Sequence, residues 1–105
     1  MVREYKAPSN DYWQPDDKSG EYVVIYPDGT KYWYKNGNYH RDGGPSIEHD
    51  SGTKEWYVNG KQHREDGPAI ERHDGSKYYF YKDKRYYEIQ SNEEWISFIK
   101  MKFLW

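Results

Sequence analysis

A mainly antiparallel all-β fold, a meander of β-hairpin repeats closed by a C-terminal capping α-helix, is what this sequence predicts. Three observations carry that expectation: a 23-residue internal repeat, short strand-like runs between turn residues, and a final segment with helical spacing and its own cap. Composition agrees with it. Thirteen Tyr, five Trp and three Phe stand against a single leucine, Leu104. Helical bundles draw on Leu and Ala, whereas aromatic and β-branched side chains suit a pleated, half-buried surface. Mean hydropathy is low at −1.39, but disordered chains are poor in rings and this one is rich in them. A folded chain with an aromatic core follows.

Length and charge narrow the rest. With 105 residues, 16 Lys plus Arg against 18 Asp plus Glu, and no cysteine, the chain reads as one domain that folds by packing alone. The near-neutral balance disfavours wholesale nucleic-acid binding by a basic protein. No stretch approaches the ~20 apolar residues that cross a bilayer, and Met1–Asn10 lacks a secretory apolar run. A cytoplasmic protein without membrane insertion is the expectation.

Taken in order, residues 1–20 form a polar N-terminal arm with Pro8 and Pro15, whose Tyr12-Trp13 is expected to pack over a sheet face. Residues 21–89 hold the repeats. Asp28–Asp50 (DGTKYWYKNGNYHRDGGPSIEHD) and Ser51–His73 (SGTKEWYVNGKQHREDGPAIERH) match at 13 of 23 positions without a gap. A third copy starts at Asp74 and decays after Tyr87, and Val24 falls one period before Ile47 and Ile70. Pro27-Asp28-Gly29 is a turn for stated reasons: Pro presets φ, Asp bonds its own backbone, and Gly accepts positive φ. Asp50-Ser51-Gly52 and Asp74-Gly75-Ser76 mark the following periods. Asn36-Gly37 and Asn59-Gly60 mark a second bend, where Asp83 takes the glycine position in the third copy. Gly44-Pro45 and Gly67-Pro68 mark a third. Strands are expected near 22–26, 30–35, 46–49, 53–58, 69–72, 77–82 and 85–89. Period-2 alternation then sets Trp33, Trp56 and Tyr79 in one column with Lys31, Lys54 and Lys77, and Tyr34, Tyr57 and Phe80 on the opposite face.

The last segment, 91–104, switches to helical spacing. Ser91-Asn92-Glu93-Glu94 is a capping box. Trp95, Ile96, Phe98, Ile99 and Phe103 follow on one stripe, with Lys100 and Lys102 in the last turn as the helix dipole favours. Repeat stacks need covered ends, so this helix is expected to cap the sheet. The alternative is a partner-binding or dimerising surface of Trp95, Phe98 and Trp105.

The 23-residue period, with W-Y-x-N-G-K followed by H-R-x-D-G-P-A-I-E and a D-G turn, resembles the MORN-type hairpin repeat over residues 21–87. It is especially similar to tandem-repeat proteins of phages and large viruses. That resemblance implies an elongated antiparallel stack serving as a scaffold, a membrane-associated module or a protein-binding module, without catalysis.

Chemistry finds little footing in the motifs. No cysteine accompanies the four histidines, and no pair has zinc-type spacing, so neither metal nor cofactor is expected. His40-Arg41-Asp42 spells the kinase catalytic tripeptide by coincidence, since the second copy reads His63-Arg64-Glu65 and no phosphate loop precedes either. His40-Arg41 and His63-Arg64 are expected to bond across neighbouring turns, with Glu48, Glu71 or the turn acids. No enzyme is predicted. Instead, Trp33, Tyr34, His40 and Arg41, with Lys54, Trp56, Tyr57, His63 and Arg64, are the candidate binding residues of a protein-interaction module. A phage-type inhibitor of a host or bacterial defence protein is its concrete form. Binding of a nucleotide or single-stranded nucleic acid by stacking and charge is one alternative. A structural homo-oligomer formed through the C-terminal helix or an open sheet edge is another.

Overall fold

The computed structural model describes residues 1–103; Leu104 and Trp105, the end of the predicted helix and one ring of its alternative surface, lie outside them. The chain is mainly β. In order the strands are β1 (Arg3–Lys6), β2 (Glu21–Ile25), β3 (Lys31–Lys35), β4 (Asn38–Tyr39), β5 (Ile47–Glu48), β6 (Lys54–Glu55), β7 (Tyr57–Val58), β8 (Lys61–Gln62), β9 (Ile70–Glu71), β10 (Lys77–Tyr78), β11 (Phe80–Tyr81) and β12 (Lys84–Arg85). One helix, α1 (Asn92–Lys102), follows. The main sheet runs β1-β2-β3-β5-β6-β9-β10, with β4 paired to β3, while β7–β8 and β11–β12 are separate hairpins.

The expected strands 53–58 and 77–82 each divide in two, and the reason lies at the tryptophan column. Trp56 donates its N–H to Ala69 O at 2.7 Å, and its carbonyl accepts from His63 N–H at 3.1 Å. The strand therefore changes partner at that residue, from β9, later in the same copy, to the hairpin strand β8. Trp33 does the same with Ser46 and His40, but β2 runs along its other side in full register and keeps β3 whole. At the bends, Asn36-Gly37 (φ 51° and 84°) and Asn59-Gly60 (φ 50° and 83°) take the left-handed pair that a two-residue hairpin needs. Lys82 and Asp83 adopt the same conformation at φ 49° and 71° without glycine. The short return strands β4 and β8 escape a pattern search because each has two polar or mixed residues.

Residues 3–6 of the arm form a strand. β1 pairs in parallel with β2, from Arg3 opposite Tyr22 to Lys6 opposite Ile25. Its sequence, Arg-Glu-Tyr-Lys, has no strand alternation, so only the long-range partner specifies it. The arm is pinned beyond β1 as well: the Tyr26 hydroxyl accepts from Trp13 N–H at 3.0 Å and donates to Trp13 O at 3.1 Å.

Two cores result, on opposite faces of the sheet. Tyr22, Val24, Tyr26 and Tyr34 are buried under Ala7, Tyr5 and Trp13. At the far end, Trp95 and Ile99 of α1 bury Tyr79 and Tyr86. Because Tyr34 and Trp33 point to opposite faces and Tyr79 is the third-copy counterpart of Trp33, the arm covers the tyrosine face and the helix covers the tryptophan face. Ser91 caps α1 by accepting from Glu94 N–H at 3.1 Å. Glu94 reaches back to the N–H of Gln90, one residue before the cap, at 2.6 Å.

Candidate binding face

The unit repeated along the tryptophan face is a stack. The Arg41 guanidinium lies 3.7 Å from the Trp33 ring centre, and that of Arg64 lies 3.9 Å from Trp56. A glycine closes each stack from the other side. A Cβ on Gly44 would stand 3.1 Å from the Arg41 guanidinium carbon, and one on Gly67 only 2.9 Å from that of Arg64. Pro and Glu complete the motif: Arg41 Nη1 donates to Pro45 O and Glu48, and Arg64 Nη1 to Pro68 O and Glu71. The string R-x-x-G-P-x-I-E thus encodes one folded clamp, in which glycine, proline and glutamate hold the arginine over its tryptophan.

The histidines link one repeat to the next. His40 Nδ1 accepts from Asn59 N–H and His63 Nδ1 from Lys82 N–H, both at 3.0 Å. Each ring's proton is therefore on Nε2, which donates to Asp42 at 3.1 Å and to Glu65 at 3.0 Å. Glu21 joins Asp42 and His40, the three donor atoms falling within 4.8 Å of one another. A cation at His40 Nε2 would have to displace the proton that this nitrogen donates to Asp42.

Two adjoining slots result. One of about 280 Å³ is walled by Trp33, His40, Arg41, Asp42 and Glu21. The next, about 490 Å³, is walled by Trp56, His63, Arg64, Glu65 and Asp66, with Arg41, Pro45 and Val58. In the third repeat, Tyr86 replaces histidine and Trp95 closes the place over Tyr79, its indole N–H donating to Arg64 O at 2.8 Å. The helix stops there, leaving the first two slots open.

Of the sequence-predicted residues, Trp33, His40 and Arg41 meet in the first slot, and Trp56, His63 and Arg64 in the second. His40 and His63 are nearly buried. Tyr34 also lines the first slot, whereas Tyr57 lines neither. Tyr34 is buried in the tyrosine core, stacked 5.0 Å from Tyr22. Tyr57 lies beside Tyr39 and donates its hydroxyl to Glu55. Desolvation, followed by the Glu55 charge, pushes the Tyr57 hydroxyl up to about 12, and burial raises Tyr34 further. Exposed Lys54 stands in register between Glu48 and Glu71, beyond the slots. Sequence reasoning missed Glu21, Asp42, Glu65 and Asp66 as slot walls. The recurring acid two residues after each histidine was the signal that could have found Asp42 and Glu65.

Comparison of the chain with family models, with curated proteins and with solved structures returns no match. Among the described residues, no helix is long and apolar enough to cross a membrane.

Proposed function

We propose that this chain is a non-enzymatic protein-binding module that docks its partner on the open Trp33–Trp56 stretch of the tryptophan face. The supporting observation is the pair of adjoining slots, each with a Trp–Arg stack, on the part of the face that α1 leaves uncovered. Such a surface is held rigid by its own clamps, so docking orders few side chains, and Trp and Arg are the residues that dominate interface energetics. The concrete form, an inhibitor of a host or bacterial defence protein, rests on the resemblance of the repeat to phage and viral units.

Arg64 is a poor probe of this reading, because removing it dismantles a clamp. Val58 is better: it lines the larger slot, is 39% exposed, and corresponds to Lys35 in the preceding repeat. Val58→Lys should leave the melting temperature within a few degrees of the parent, since exposed positions tolerate exchange, and should abolish capture of the partner from host lysate. Unchanged capture by the folded variant would remove this face as the binding surface.

A further inference from the structure

Building on that reading, we infer that the two open slots take an extended, proline-rich peptide segment of the partner, bearing basic side chains one polyproline turn apart. Charge is the first reason. The slot walls hold two arginines against four carboxylates, Glu21, Asp42, Glu65 and Asp66. Both arginines are already paired, Arg41 with Glu48 and Arg64 with Glu71 and Asp66. Asp42 and Glu65 receive only a neutral imidazole N–H, and Asp42 and Asp66 stand 79% and 80% exposed at the mouth. An anionic mouth selects a cationic occupant.

Spacing is the second reason. Lys31 pairs with Glu48, and Glu48 with Lys54. Trp33 and Trp56 are therefore two strands apart, on the order of 10 Å. A polyproline II helix rises about 3.1 Å per residue with three residues per turn, roughly 9 Å per turn. Such a ligand presents equivalent side chains to both slots without bending, whereas an α-helix climbs only about 5.4 Å per turn. Free donors are the third reason. Among the described residues, the Trp95 indole N–H has a protein acceptor, while those of Trp33 and Trp56 donate to none. Polyproline carbonyls are themselves unpaired and point outward, and aromatic-lined grooves are their usual dock.

The test titrates the full chain with synthetic peptides and follows tryptophan fluorescence. Repeated Arg-Pro-Pro triplets should bind, more weakly as salt rises. Glu-Pro-Pro and Arg-Gly-Ser peptides of equal length should not. The paired substitution Asp42→Asn with Glu65→Gln keeps the acceptors for both imidazoles and removes two charges, so it should fold normally and weaken Arg-Pro-Pro binding about fivefold or more. Absence of Arg-Pro-Pro binding, or equal binding of Glu-Pro-Pro, overturns the inference. Equal binding of Arg-Gly-Ser overturns the polyproline assignment, and tighter binding of single-stranded DNA overturns the cationic one. If the peptide fails while Val58→Lys still abolishes partner capture, the ligand class is wrong and the docking face stands; if Val58→Lys captures normally, the face itself is wrong.

Discussion

Gly67 is the residue on which the clamp of the second repeat most depends. Its backbone is unexceptional in φ, so what requires glycine there is the guanidinium 2.9 Å from where a Cβ would sit. Gly67→Ala must push Arg64 off Trp56 and away from Pro68 O and Glu71, and is expected to destabilise by about 1–3 kcal/mol in urea unfolding. In an Arg64→Ala background the same change has nothing to displace. A double-mutant cycle should therefore return a coupling of about the whole Gly67→Ala effect, and additive single effects would show that the contact does not hold the loop. Gly44, with a slightly looser 3.1 Å, should behave alike but more mildly. In both repeats the clamp turns the arginine's Nη1 toward a glutamate, Glu48 for Arg41 and Glu71 for Arg64.

At the scale of the element, α1 acts as the fourth wall of a slot that the third repeat cannot close by itself. Tyr86 and Tyr79 lack the arginine clamp of the earlier copies, and Trp95, fully buried, fills the gap at 5.5 Å from both rings. Trp95→Ala removes that filling and strands the Arg64 carbonyl, for an expected loss of about 3–5 kcal/mol. Protection of the β11–β12 amides in hydrogen exchange should fall first, because Tyr81 of β11 and Tyr86, next after β12, pack against the rings of the helical segment. Retained protection in the variant would mean that the third repeat is stable without its cap. The arm plays the matching part at the opposite end, on the opposite face, through β1, Ala7 and Trp13.

For the whole molecule, the tyrosine face makes stability depend on alkaline pH. Desolvation raises the hydroxyls of Tyr22, Tyr32, Tyr34, Tyr39 and Tyr57 above their ordinary value of 10.0, Tyr57 to about 12. A tyrosine with a raised folded-state value favours its neutral form in the native state. The stabilisation is fully present below the unfolded value and is lost as pH climbs from there through the folded one. Unfolding in the window from about 10 to 12 should thus be cooperative. Tyrosinate absorbance of these buried rings should rise together with loss of the β signal in circular dichroism. Smooth titration of all thirteen tyrosines near their ordinary value, with the fold intact, would contradict this packing.

Turn chemistry and period made most of the fold legible in advance. Asn-Gly and Asp-Gly pairs act through local φ preferences, and a 23-residue spacing survives whatever the chain packs against, so the hairpins and the capped helix could be read from residue types alone. β1 and the split at Trp56 could not, because each is defined by a partner strand remote in sequence. The candidate site was half legible. Trp33, Arg41, Trp56 and Arg64 announced themselves by repetition, yet whether their charge faces outward depends on where Glu48, Glu71 and the glycine loops come to rest. Sequence by itself determined a repeating aromatic plank with a helical end. Only the tertiary structure decided that the arm and the helix cover opposite faces at opposite ends, leaving two acid-rimmed slots open, because burial and charge pairing are set by distances between segments and not by their order along the chain.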